Sequence, residues 1–196
     1  MLSLRIRNTR LEIRFGFLAV PALILTLGGG AHLLPALFAA AVHEAGHILA
    51  AHICGARIHS VRFGAMGIRM LGNLHTLSFL RQAAVSLAGP LMNLLCFFLC
   101  LPLPRAYCAI QLCLFLFHIL PAVPLDGGTA LYCALCSVLS EKNASRWCVG
   151  ISVTLSFLLG VLGFSILLRS KGNFTLLAVA VYILFYLLMK QREDLY

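Results

Sequence analysis

Charged residues are scarce in this chain. Asp, Glu, Lys and Arg make up only 11% of its 196 residues, against about 25% in a typical soluble domain. Hydrophobic residues make up 61%, so there is too little polar surface to cover a water-soluble particle. A soluble enzyme, a disordered linker and a fibrous protein are therefore excluded, and the sequence predicts an integral membrane protein.

Acidic residues are the scarcest charged class. The chain has six Asp and Glu residues and 15 Lys and Arg residues, which gives a net charge of +9. The basic residues lie between apolar runs, where they orient membrane spans, rather than in a patch that would bind nucleic acid. With alternating spans and a cytoplasmic N-terminus, twelve of the fifteen basic residues face the cytoplasm. We therefore expect a multi-pass protein of the cell membrane with both termini cytoplasmic, the bilayer as a partner and no nucleic-acid partner.

Long apolar runs predict the fold class. A spanning helix needs about 20 mostly apolar residues, and six such runs predict an all-α polytopic membrane protein. Residues 56–80 contain arginines, glycines and short alternations instead, which predicts a small membrane-associated β-hairpin. The whole chain, residues 1–196, is expected to form a single transmembrane domain with no separate soluble domain. The predicted spans are 15–31, 33–54, 83–103, 106–121, 148–168 and 173–189.

The spacing of the eight cysteines does not indicate a disulfide framework. Most lie within or beside apolar runs, where free thiols behave as small hydrophobic side chains. Cys133 and Cys136 have the spacing of half a metal site, but the sequence has no second pair to complete four ligands. We expect buried free thiols.

Two of the six acids, Glu44 and Asp126, lie in or against apolar spans. An ionisable group at that depth costs several kcal/mol unless it is paired or bound, so each predicts a functional site. Glu44 belongs to the sequence His43-Glu44-Ala45-Gly46-His47. On a helix the two histidines are one turn apart on one face, which is a zinc-binding arrangement. Glu44 beside them is placed to take a proton from water as a general base. The alternative is a polar helix patch packed inside a bundle.

Zinc in a catalytic site needs a third protein ligand. A histidine at position 53 would complete one familiar pattern, but Ile53 stands there, and no acid follows Glu44 before Asp126. By elimination Asp126 is the third ligand. It follows Pro121 and Pro124 and precedes Gly127, so the backbone there is irregular, which membrane depth tolerates only around a cavity or inside protein. A helix N-cap role for Asp126 is the alternative and is compatible with metal binding.

Three segments together resemble the site-2 protease family of intramembrane zinc metalloproteases. They are HEAGH in an apolar span, the sequence Ala88-Gly89-Pro90-Leu91-Met92-Asn93, and Leu120-Pro121 through Leu125-Asp126-Gly127-Gly128. The compact layout is most similar to the stage IV sporulation protein FB branch. The resemblance implies that His43, His47 and Asp126 bind Zn²⁺, that Glu44 is the catalytic base, and that a transmembrane substrate is cut within the bilayer. It also implies that the 56–80 region pairs with substrate as an added strand.

Two features depart from the family pattern. His118 occupies the position of a family asparagine, so it is a hydrogen-bond donor near the metal, a spare ligand or a packing residue. The chain also ends at Tyr196 without the regulatory domain of the sporulation branch, so nucleotide control is not expected. Asn93 either hydrogen-bonds the site or joins helices to one another.

These residues predict a zinc-dependent intramembrane endopeptidase that hydrolyses a peptide bond of a membrane-embedded protein. One alternative is a membrane-bound zinc protease that acts on substrates at the cytoplasmic face. Another is a non-catalytic zinc-binding transporter or scaffold, which would have no need of Glu44 as a base. The sequence does not identify the substrate, a regulator or the oligomeric state.

Overall fold

A computed structural model describes residues 2–6, 9–13, 30–56, 58–64, 67–170 and 172–193. The chain divides into two compact units, Met1–Leu116 and Phe117–Tyr196. The organisation of the whole chain as one transmembrane domain stays a prediction.

A four-stranded sheet belongs to the first unit. Its strands are β1 (Leu2–Ile6), β2 (Thr9–Ile13), β3 (Ile58–Gly64) and β4 (Gly67–Gly72). They lie in the order β1-β2-β3-β4, with β2 and β3 parallel and the outer pairs antiparallel. The 56–80 region thus contains an antiparallel pair, and its association with a membrane stays a prediction. Strands β1 and β2 were not predicted, because the arginines in this segment were interpreted only as orienting charges.

The described part of the first unit also contains three helices and a short 3-10 helix. They are α1 (Gly30–Ile53), the 3-10 helix Leu74–Thr76, α2 (Phe79–Leu99) and α3 (Arg105–His118), whose last two residues belong to the second unit. Helices α1 and α2 pack closely, since a Cβ atom at Gly46 would lie 2.6 Å from the carbonyl oxygen of Ala88. This close approach brings the HEAGH segment against α2.

The second unit contains α4 (Asp126–Cys136), α5 (Glu141–Ser170) and α6 (Thr175–Glu193). Ala122 and Leu125, from the loop before α4, are buried with Ile183 and Leu187 of α6. Helices α5 and α6 also meet closely, because a Cβ atom at Gly163 would lie 2.6 Å from the backbone nitrogen of Leu177. The loop that carries Asp126 is therefore packed against a helix pair.

Three of the described helices, α1, α2 and α5, are long and apolar enough to cross a membrane. Two shorter apolar helices are Arg105–His118, which is α3, and Thr175–Met189, which is part of α6. The predicted span 15–31 lies largely outside the described residues. Large apolar side chains such as Leu34 and Phe157 are about 70% exposed, as expected for surfaces that face lipid. The apolar helices are those of a membrane protein, while the number of six spans stays a prediction. Burial of the cysteines was expected, and it is present at four of them, Cys100, Cys133, Cys136 and Cys148, whereas Cys113 is exposed.

Candidate metal centre

Helix α1 carries the HEAGH segment with both histidine rings turned into the protein. The side chains of His43 and His47 are 3% and 7% exposed, and Glu44 between them is half-buried. The Nε2 atoms of the two rings lie 3.1 Å apart, and the ring planes cross at 82°. The predicted pairing of the two imidazoles on one helix face is therefore present in the structure.

Each histidine is oriented through its other ring nitrogen. The Nδ1 atom of His47 donates to the backbone carbonyl of Val85 at 2.8 Å, and the Nδ1 atom of His43 donates to Oδ1 of Asn93 at 2.6 Å. A carbonyl oxygen only accepts, so both protons belong on Nδ1 and the neutral rings carry their lone pairs on Nε2. This arrangement of outer hydrogen bonds is typical of histidines that bind metals.

The spacing of the two Nε2 atoms matches a zinc site. With Zn–N bonds of about 2.0–2.1 Å and tetrahedral angles, two nitrogen ligands lie about 3.3–3.4 Å apart. The observed 3.1 Å needs only a small adjustment to reach that value. The histidine pair therefore fits zinc in donor type, tautomer and spacing.

Asn93 is fully buried and its amide is held on both sides. Its Nδ2 atom donates to the carbonyl of Ala39 at 3.0 Å and to Oε1 of Gln111 at 2.6 Å. These two bonds leave Oδ1 facing His43, so Asn93 does contact the histidine pair, one of the two possibilities raised by the sequence. Sequence reasoning missed Gln111. The signal was a lone amide in an otherwise apolar run, Ile110–Phe117.

Gly89 leaves room for the ring of His47. A Cβ atom at this position would overlap the Nε2 atom of His47 and would lie 2.6 Å from its Cε1 atom. Only a residue without a side chain allows the two helices and the ring to come this close. The Ala-Gly-Pro segment of α2 therefore has a direct physical role at the histidine pair.

In the second unit, Asp126 is paired with His118. The Nδ1 atom of His118 donates to Oδ2 of Asp126 at 2.6 Å, and the two side chains are 26% and 24% exposed. Leu125 occupies the N-cap position, and Asp126 is the first residue of α4. The N-cap interpretation of Asp126 is therefore wrong by one residue. A carboxylate in the first turn is still favoured by the helix dipole.

The loop before Asp126 is held by its backbone. The Val123 N–H donates to Oγ of Ser152 at 3.0 Å, and that hydroxyl donates to the carbonyl of Cys148 at 2.7 Å. A Cβ atom at Gly127 would overlap the carbonyl oxygen of Ile119. Ser152, which sequence reasoning also missed, thus satisfies a loop N–H that the irregular backbone leaves without a helical partner.

The three side chains predicted as ligands are His43 and His47, which belong to the first unit, and Asp126, which belongs to the second. Two imidazoles and one carboxylate are ligands that suit zinc, and three protein ligands leave one position open, as in catalytic zinc sites.

Comparison with solved structures finds a protein of the same fold. The structure is similar to the site-2 protease from Methanocaldococcus jannaschii, with a TM-score of 0.69 and 20% sequence identity over 96% of this chain and 94% of that chain. The two proteins share a fold. Neither a protein-family model nor a curated protein matches the sequence. Membership of the site-2 protease family and the expected branch within it both stay predictions.

Proposed function

We propose that this protein is a zinc-dependent intramembrane endopeptidase that hydrolyses a peptide bond of a membrane-embedded protein. In this proposal His43, His47 and Asp126 bind zinc, and Glu44 is the general base. The observation that carries it is the histidine pair, whose Nε2 atoms lie 3.1 Å apart on an apolar helix long enough to cross a membrane. The fold shared with a site-2 protease supports it.

The position of the histidines along α1 supports chemistry inside the bilayer. At 1.5 Å per residue the 24 residues of α1 extend about 36 Å. His43 lies about 20 Å from the start of this helix and about 15 Å from its end. A hydrocarbon core of about 30 Å would therefore enclose His43 if α1 spans the membrane.

The short length of α3 supports a position inside the bilayer for the Asp126 carboxylate as well. Its 14 residues extend about 21 Å, which is less than the ~30 Å hydrocarbon core. If Arg105 lies at the membrane surface, the chain leaves the helix at His118 before it has crossed. The irregular loop and Asp126 then follow at membrane depth, where such backbone is tolerated because it packs against protein.

In the proposed hydrolysis, zinc, Glu44 and Asp126 have separate roles. When bound, zinc polarises the carbonyl that is attacked and makes water more acidic. Glu44 takes the proton from the attacking water and delivers it to the leaving amine. Asp126 supplies the negative charge that two neutral imidazoles lack. The substrate helix must unwind locally, since its carbonyls are otherwise bonded within the helix.

The proposed partner is a membrane protein with a transmembrane segment, in the cell membrane. Both termini of the protease and the 56–80 region face the cytoplasm, following the distribution of basic residues. Strand β4 is at one edge of the sheet, and an edge strand can pair with an extended peptide. An unwound substrate segment beside β4 is therefore part of the proposal.

Replacing Glu44 tests the proposal. We expect Glu44→Gln to lower cleavage of a reconstituted single-span substrate by about 10²–10⁴-fold, because the amide cannot accept the proton of water. Zinc content should not change, since none of the three ligands is altered. Glu141→Gln, an exposed acid at the start of α5, is the matched control and should cleave at the wild-type rate.

Two results would contradict the proposal. Cleavage at the wild-type rate by Glu44→Gln would exclude Glu44 as the base and favour a transporter or scaffold. Efficient cleavage of a protein without any membrane segment, with no cleavage of the single-span substrate, would favour a protease that acts at the cytoplasmic face.

A further inference from the structure

Gln111 is an unusual residue in its surroundings. Within α3, all of which lies in the described part of the chain, Gln111 alone is buried, and its side chain is 0% exposed. The rest of this helix is half-buried or exposed. A fully buried amide in an apolar helix must have hydrogen-bond partners, because burial without them is costly.

The partners of Gln111 lead to the histidine pair. Its Oε1 atom accepts from Nδ2 of Asn93 at 2.6 Å, and Nε2 donates toward Sγ of Cys96 at 3.4 Å. Asn93 in turn accepts from Nδ1 of His43 at 2.6 Å. Three buried side chains from three helices, α3, α2 and α1, are thus connected in one chain of hydrogen bonds.

The direction of each bond in this chain is fixed. The carbonyl of Ala39 can only accept, so the Asn93 atom that faces it is the donor Nδ2. The same NH₂ group faces Gln111, which must present its oxygen. The Asn93 oxygen is then directed at His43, which must carry its proton on Nδ1. Gln111 therefore holds Asn93 in the orientation that puts the lone pair of His43 on Nε2.

We propose that Gln111 is a positioning residue for the metal centre. It acts through Asn93 on the tautomer and ring orientation of His43, and so on the affinity for zinc. This inference rests on the proposed function, because it assumes that His43 is a zinc ligand. It goes beyond that function in assigning a role at the metal to a residue of α3, which contributes no ligand of its own.

Zinc affinity of the purified full-length protein tests the inference, measured by competition with a chromophoric chelator. Gln111→Leu removes the oxygen that accepts from Asn93, and it should weaken zinc binding about tenfold, as loss of outer hydrogen bonds does at other metal sites. Gln111→Glu should keep wild-type affinity, because one carboxyl oxygen still accepts from Asn93 in either protonation state. The visible spectrum of bound Co²⁺ should change in Gln111→Leu and not in Gln111→Glu.

A matched control separates positioning from general stability. Ser156 is also buried, and its hydroxyl donates to the carbonyl of Ser152 at 2.7 Å. Ser156→Ala removes a buried polar group of α5 and should leave the zinc affinity and the Co²⁺ spectrum unchanged, even if it lowers the unfolding temperature. If Gln111→Leu does not accumulate, Gln111→Met keeps the length of the side chain and carries the same expectation.

The outcomes distinguish this inference from the proposed function. If wild-type protein binds zinc and Gln111→Leu binds it equally well, the inference is overturned and the proposed function stands. Equal weakening by Gln111→Leu and Ser156→Ala would also overturn it, because the effect would then be structural. If wild-type protein binds neither zinc nor Co²⁺, both proposals are overturned.

Discussion

The two histidines and the aspartate that we propose as zinc ligands are held in different ways. His43 and His47 are almost fully buried, and each ring is fixed through Nδ1 by an oxygen of α2. Asp126 is 24% exposed and accepts a hydrogen bond from His118, a side chain that is itself 26% exposed. The two histidine rings are thus oriented by their bonds to α2, whereas the Asp126 carboxylate accepts a hydrogen bond from a neighbour at the end of α3.

The two regions hold a side chain in a fixed orientation by different means. A metal ligand must be held in its binding orientation before the ion arrives, or ordering it weakens the affinity. Close helix packing achieves this for the histidines, because Gly46 and Gly89 bring α2 against α1. A short hydrogen bond from His118 contributes to it for Asp126. Variants in the two regions should therefore differ in which property they change.

The largest effect is expected from the carboxylate itself. Asp126→Asn keeps the shape of the side chain and removes the charge that offsets Zn²⁺, so zinc should be lost or its affinity reduced by more than about a hundredfold. Elemental analysis of the purified protein measures this. Unchanged zinc content would show that another residue is the third ligand, with His118 the first candidate.

A smaller effect is expected from crowding the histidine pair. In Gly89→Ala the new methyl group would overlap the ring of His47, so the ring must move from its bond to Val85. We expect zinc affinity to fall about 10–100-fold, with a loss of about 1–3 kcal/mol in stability. The control is Gly150→Ala, since nothing lies within 4 Å of a Cβ atom there. Zinc affinity equal to that of the control would show that the histidines are not held by close packing.

The smallest effect is expected at His118. His118→Asn introduces the asparagine of the site-2 protease pattern and still provides an N–H that can donate to Asp126, so zinc affinity should change less than about tenfold. His118→Leu removes the donor and should weaken zinc binding about tenfold, the lower end of the range for a lost outer hydrogen bond. Both are measured by chelator competition on the same preparation. Equal affinities in the two variants would mean that the hydrogen bond to Asp126 does not position the carboxylate.

Local patterns made much of this structure predictable. The hydropathy of the chain predicted the apolar helices, and the spacing of His43 and His47 predicted rings that share one helix face. Both predictions depend on residues that are close together in the sequence.

What the sequence did not predict depends on contacts between distant segments. The bond between Gln111 and Asn93 joins residues 18 positions apart, and that between Val123 and Ser152 joins residues 29 apart. Strand β2 pairs with β3 across about 50 residues, with Arg10 opposite Ser60. No local periodicity encodes such pairings. A lone amide or hydroxyl in an apolar helix is the residue-level signal that was available.

The position of the cut in a single-span substrate tests the central claim most directly. Zinc-loaded protein and substrate are reconstituted together in lipid vesicles, and the products are measured by mass spectrometry. Our account predicts new termini within the apolar segment of the substrate for wild-type protein and none for Glu44→Gln. Cuts found only outside the apolar segment, or found equally with Glu44→Gln, would contradict it.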